Sequence, residues 1–293
     1  MPGYVISCSS TVDLTREWLE GRDIKYVYFN YELGGTSCKD DFGVTNPPSQ
    51  LYAKMLAGQD CKTSQVSTGD YIDLWRPYLE QGLDVLHPTL SSGISGTYNS
   101  ACAARDVLAA EFPQRKIYVI DSLAASSGYG LLMDALADKR DEGLSIDELN
   151  GWCEEHKLEL QHWFFSSDLT FFVRGGRISK VAGHFGGLLH ICPVMNVAPD
   201  GSLAVIEKIR TKGRAVRRVV DMMHETVQDG ENYTGKVFIS MSECPDDAKA
   251  VADLIRTEFP KIEGVYTFGI GATIGVHTGP GTVATFWWGK KRA

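Results

Sequence analysis

The sequence predicts an α/β protein in two domains. Three observations carry that reading. Short apolar runs alternate with amphipathic stretches of helical spacing, the pattern of parallel strands joined by crossover helices. Ile117-Tyr118-Val119-Ile120 is apolar throughout between polar flanks, as a buried strand should be. The length, 293 residues, suits about two domains of ~150 residues.

The elements follow in order. Tyr4 to Ser7 reads as a strand, and Thr11 to Glu20 as a helix capped by Thr11 or Asp13. Tyr26 to Phe29 is rich in β-formers. Pro47-Pro48 punctuates, and Ser49 to Ala57 looks helical. Asp70 to Gln81 is an amphipathic helix bearing Ile72, Leu74, Trp75, Tyr78 and Leu79. A short strand spans Asp84 to Leu86, a helix Asn99 to Phe112. Gly128 to Lys139 and Ser145 to His156 are helical. A second half opens near His162-Trp163-Phe164-Phe165, which places the domains at 1–163 and 164–293. It holds a glycine-rich middle from Gly175 to Gly187. A helix from Arg214 to Gln228, a strand from Val237 to Ser240 and a helix from Pro245 to Phe259 follow. The end, Val265 to Gly289, is rich in glycine and β-formers. This second domain is expected to be mixed α/β.

Composition excludes several classes. Apolar residues make up 43% and charged residues 23%, which rules out collagen and intrinsic disorder. Against 29 basic residues stand 37 acidic ones, a net charge of −8 that argues against general nucleic-acid binding. No apolar stretch approaches the ~18 residues of a membrane span, so no stable insertion is expected. The start, Met1 to Ile6, lacks the basic region and apolar core of a signal peptide. Seven single cysteines without CxxC fit reduced thiols and a cytoplasmic location. Asn232-Tyr233-Thr234 matches a glycosylation sequon, which means nothing without secretion.

Five clusters could carry chemistry. In Thr63-Ser64-Gln65-Val66-Ser67-Thr68-Gly69-Asp70, Ser67 and Asp70 form a near capping box. Thr63 and Ser64 sit too far upstream to cap that helix, so their hydroxyls are open to a binding role. Ser91 to Ser100 is dense in hydroxyls and glycines. It follows a strand and opens a helix, where an open parallel sheet binds ligands and where a helix N-terminus favours an anion. It is not a P-loop, because GxxxxGK[ST] is missing. The run Gly269 to Gly281 has GxGxxxG spacing with no evident helix after it, so it supports a dinucleotide site weakly. His277 there is expected at a strand end, its ring free to meet an anion. Arg174 and Arg177 lie beside glycines and could bind an anion or pair with carboxylates. The plain reading is a solvated turn and then a helix through Gly183 to Leu189. Lys208 to Arg218 holds six basic residues in eleven. That is either a solvated helix start or a docking patch for an acidic partner.

Catalytic signatures are weak. There is no G-x-S-x-G or HExxH, and the seven histidines show no metal-ligand spacing, so no metal or cofactor is expected. Ser95 and His277 could act as nucleophile and base, with Asp121 a conceivable orienting acid.

In this order the clusters resemble the DegV family of fatty-acid-binding proteins, similar to the lipid-carrying subunit of bacterial fatty-acid kinase. The matching residues are Ser9-Ser10-Thr11-Val12-Asp13-Leu14, Thr63-Ser64-Gln65, Ser95-Gly96-Thr97-Tyr98, Asp121-Ser122, Gly175-Gly176-Arg177-Ile178-Ser179, Arg210-Thr211-Lys212 and His277-Thr278-Gly279-Pro280-Gly281. They run over nearly the whole chain. Cys8 departs from the aspartate usual before the first Ser-Ser.

The resemblance implies a two-domain DegV-like fold with one long-chain fatty acid between the domains. Its carboxylate would be held by Thr63 with Ser64, by Ser95 with the adjoining Gly96 and Thr97, and by His277 with Thr278. Arg174 or Arg177 would support them. It further implies a non-catalytic carrier that presents the carboxylate to a separate ATP-dependent fatty-acid kinase, which forms an acyl phosphate for phospholipid synthesis. Arg210, Lys212 and Arg214 would dock that kinase. Two rivals are a small phosphotransferase or hydrolase using Ser95 and His277, and a lipid sensor with the same pocket. The physics suits a carrier. At ~0.8 kcal/mol per buried CH₂, a tail of 16 to 18 carbons gains on the order of 12 kcal/mol before entropy costs. The carboxylate then needs several donors at one end of the tunnel.

Overall fold

The computed structural model describes residues 3–179 and 191–292. The first half is built on β1 (Tyr4–Ser9), β2 (Ile24–Val27), β6 (Asp84–Thr89) and β7 (Ile117–Asp121), all parallel, in the order β2-β1-β6-β7. Alternate side chains face opposite cores, as a pleated strand requires. Val5 and Val85 pack with Trp75, Leu79, Ala104 and Leu108 from helices Thr68–Glu80 and Thr97–Glu111. Ile6 and Leu86 pack on Leu132, Leu136, Leu149 and Cys153 from helices Ser126–Asp141 and Ile146–His156. Ser67 and Asp70 form the expected capping box; Ser145 and Glu148 form another.

A small antiparallel sheet, β3 (Asn30–Leu33), β4 (Thr36–Lys39) and β5 (Cys61–Ser64), branches off in the order β4-β3-β5. The sequence reading left these strands out. They are four residues each and carry little apolar alternation. Helix Pro48–Leu56 packs beside them.

The second half is a six-stranded mixed sheet of β8 (Leu160–Ser166), β9 (Ile191–Val197), β10 (Leu203–Arg210), β11 (Lys236–Met241), β12 (Gly264–Gly269) and β13 (Thr282–Trp288), in the order β10-β9-β8-β13-β11-β12. Only β11 and β12 run parallel. Helices Lys212–Thr226 and Pro245–Glu258 cover one face. The other face, with Phe164, Met195, Phe238 and Phe286, joins the core of the first half around helix Ser126–Asp141. Residue 163 falls within β8.

Three expectations are corrected. The helix expected from Thr11 to Glu20 is a short 3₁₀ turn, Ser10–Val12, and a separate helix, Arg16–Gly21, capped by Thr15. Asp13 between them has φ of 47°, which no helix tolerates. The run of β-formers from Tyr26 to Phe29 is strand only as far as Val27. Finally, the glycine-rich end does contain a helix, Ala272–Thr278, so His277 sits on a helix and not at a strand end.

Candidate functional site

A cavity of about 230 Å³ opens where three elements meet. The first is β5, whose Thr63 is half-buried. The second is the loop between β6 and helix Thr97–Glu111, at the carboxyl end of the parallel sheet where such folds bind ligands. The third is helix Ala272–Thr278. Thr63, Ser95, Gly96, Arg177, His277 and Thr278 line the cavity, beside Phe164, Phe172, Val197, Leu203, Ile274 and Phe286. Polar groups thus share an otherwise apolar space.

The Ser95 loop is shaped by Ser91. The amides of Ile94 and Ser95 donate to Ser91 O at 3.2 and 3.1 Å, and the Gly93 amide donates to Ser91 Oγ at 3.1 Å. Ser91 Oγ in turn donates to Gly201 O at 2.8 Å, in the turn between β9 and β10. Ser95 Oγ accepts from the Thr97 amide at 3.2 Å. The loop stays open because Gly93 and Gly201 touch backbone to backbone. A Cβ at Gly93 would fall 2.4 Å from Gly201 C, and one at Gly201 2.0 Å from Ser91 Oγ.

His277 Nε2 is hydrogen-bonded to Thr63 Oγ1 at 2.7 Å. Burial, with the charge of Arg177 adding to it, brings the imidazole down to about 4. The ring is therefore neutral at pH 7. Its Nδ1 is buried without a hydrogen-bond partner among the described residues and lies against Gly175, where a Cβ would fall 2.3 Å away. The two glycines before Arg177 thus have a reason: Gly175 makes room for the ring, and Gly176 turns the chain at φ of 70°. Arg177 donates to Gly175 O and forms no ion pair with a described residue. Burial lowers its pKa without discharging it. A half-buried cation, a neutral imidazole and several hydroxyls, Thr63 and Ser95 among them, therefore line a cavity with no acid among its described lining residues, a surrounding that favours an anion.

Three expected site residues stand apart from the cavity. Ser64 is exposed and donates to Asn30 O at 3.5 Å. Thr97 is buried behind the loop, hydrogen-bonded to Tyr71 at 2.7 Å. Arg174 is exposed, its guanidinium 5.4 Å from the centre of the Phe171 ring. Lys180 and Gly183 to Leu189 lie outside the described residues. Asp121 accepts from the amides of Ser92 at 3.0 Å and Leu123 at 3.2 Å. Ser95, His277 and Asp121 thus each have other partners. Gly271 and Gly275, read as loose dinucleotide spacing, are occupied by Asp13 and by Tyr52.

Sequence reasoning assigned no role to several polar lining residues, Gln65, Ser126, His162, Thr273 and Thr282 among them. Gln65 donates to Ser100 Oγ at 2.7 Å and lays its Oε1 where a side chain at Gly96 would be. Its place beside Thr63 and Ser64 was a usable signal. Thr273 and Thr282 line the cavity too; both are buried, and the Thr282 hydroxyl has no partner among the described residues. His162, held neutral by burial and by Arg292, lines it too. Nothing in the local sequence marked these three.

Of the basic run, Lys212 pairs with Asp247 at 2.6 Å, Arg217 with Asp221 and Glu258, and Arg218 with Glu207 and Glu225. Arg210 and Arg214 are exposed and pair with no described acid. Among the described residues no group of His, Cys, Asp or Glu is placed to hold a metal, and no helix is long and apolar enough to cross a membrane.

Comparison with known proteins agrees with this architecture. A DegV domain-containing protein of Clostridium perfringens is 33% identical over 292 residues, covering 100% of this chain and 99% of its own. A solved structure described as fatty acid binding of a DegV family protein from Thermus thermophilus superposes with a TM-score of 0.87. It is 25% identical and covers 98% of this chain and 99% of its own. The Streptococcus pneumoniae Fatty Acid Kinase (Fak) B3 protein loaded with linoleic acid has a TM-score of 0.84 at 22% identity, over 98% of this chain and 99% of its own, a likeness of fold. The family model described as "Uncharacterised protein, DegV family" matches residues 5–290, and the chain belongs to that family.

Proposed function

We propose that this protein binds one long-chain fatty acid in the cavity and carries it to a separate fatty-acid kinase. The observation that supports this most is the pairing of an apolar cavity with an Arg177 that pairs with no described acid and with the Thr63–His277 contact. An acyl chain fills such a space by hydrophobic burial. Its carboxylate needs the donors that Thr63, Ser95, Arg177 and His277 supply. The Thermus relative's fatty-acid binding supports the same reading. Ser64 and Arg174 are exposed and Thr97 is bonded to Tyr71, so the three are left out of this clamp. The boundary expected at residue 163 falls inside β8, so we place the division just before that strand.

The carrier reading is favoured over hydrolysis or phosphotransfer because Ser95 and His277 are engaged with Thr97 and Thr63, not with each other. The Fak B3 neighbour supports a kinase partner. Docking would rest on Arg210 and Arg214, with Lys212 between them already tied to Asp247. Reversing Arg210 and Arg214 to Glu tests this. Acyl-phosphate formation by a fatty-acid kinase at low salt should fall about tenfold or more, with bound fatty acid unchanged. Unchanged turnover would remove the docking role.

A further inference from the structure

Helix Ala272–Thr278 is seven residues long, and its N-cap, Gly271, offers no side chain. Two carboxylates from the other half of the chain take its first amides instead. Asp40 Oδ1 accepts from Ala272 at 3.1 Å and Oδ2 from Thr273 at 3.0 Å. Asp13 Oδ1 accepts from Gly271 at 2.9 Å. Asp40 is 1% exposed and Asp13 4%. Asp13 is fixed in its turn: its Oδ2 accepts from Ser126 Oγ, and its carbonyl accepts from Ser127 Oγ at 2.9 Å.

A helix N-terminus leaves its first amides unpaired, and a single N-cap side chain satisfies one of them; here two buried carboxylates take three. A second buried carboxylate adds desolvation and repulsion. Burial raises both carboxyls, and Asp40 adds to the rise at Asp13. What the pair supplies is a fixed position. The far end of the helix, about 7 Å along its axis, carries His277, which meets Thr63. Three groups of the first half therefore grip a helix of the second, at both of its ends.

We infer that Asp40 and Asp13 are positioning residues for ligand binding: they set His277 against Thr63 by holding the opposite end of its helix. The inference rests on the fatty-acid reading only for the identity of the ligand.

The test compares Asp40→Asn with Glu148→Ala, which removes an exposed capping carboxylate from helix Ile146–His156, a helix that lines no part of the cavity. Two readouts are needed. One is the affinity for a fluorescent long-chain fatty acid. The other is the ¹⁵N and ¹H resonances of the His277 ring without ligand, assigned by their loss in His277→Gln. Asp40→Asn should weaken binding about tenfold and shift the His277 resonances. Glu148→Ala should lower the melting temperature and leave both readouts alone. Wild-type affinity and unshifted resonances in Asp40→Asn would overturn the inference, as would equal effects from Glu148→Ala. If Asp40→Asn does not fold, Asp13→Asn carries the same comparison. A wild-type protein that takes up no fatty acid contradicts the ligand assignment alone, because the ring resonances still report on position.

Discussion

His277 shows how one ring acquires its properties from its surroundings. Burial and Arg177 keep it neutral, with a pKa brought down to about 4. Its unfolded value is near 6.5. The neutral ring therefore favours the fold at pH 7, and that contribution is lost as pH falls from about 6.5 through about 4. A carboxylate placed beside it reverses the balance, because an opposite charge stabilises imidazolium. NMR titration should thus find His277 near pH 4 in delipidated protein and higher in protein loaded with fatty acid. An unchanged or lower value on loading contradicts a carboxylate at this ring. Ser95 and Arg177 were legible as a hydroxyl and a cation beside glycines, and Thr63 as a hydroxyl too far upstream to cap the next helix. Thr273 and Thr282 were not, because a lone threonine in an apolar run carries no sign of which way it faces.

At the scale of elements, the turn between β9 and β10 is bound to the Ser95 loop by a contact that only glycine permits. Gly201 has φ of 79°, and any side chain there meets Ser91 Oγ. Gly201→Ala should cost about 1–3 kcal/mol of stability and weaken fatty-acid binding through the displaced loop. Chemical denaturation and a binding titration check the two effects. Full stability and full affinity together would show that the contact does not shape the site. Sequence patterning found the long helices and most of the apolar strands. It missed β3, β4 and β5, which are short, and β10, which alternates with polar residues on an exposed face; it also missed β9, although that strand is apolar and mostly buried. It also missed the helix of His277. Gly271 and Gly275 read locally as a loop, whereas Asp13, Asp40 and Tyr52 make that stretch helical through contacts hundreds of residues away.

At the scale of the molecule, one core runs through both halves, from Ile6 and Leu86 to Phe238 and Phe286. The cavity lies in the seam, lined from both sides by Leu90 and Ser95, and by Phe164 and His277. That seam was visible in the sequence only through the family resemblance, since no local pattern says how two sheets face each other. The most direct test of the account is to purify the folded protein from cells, denature it, extract it with organic solvent and identify the lipid by mass spectrometry. The account predicts a near-stoichiometric long-chain fatty acid. A folded protein that yields none, and takes up none when fatty acid is offered, contradicts it.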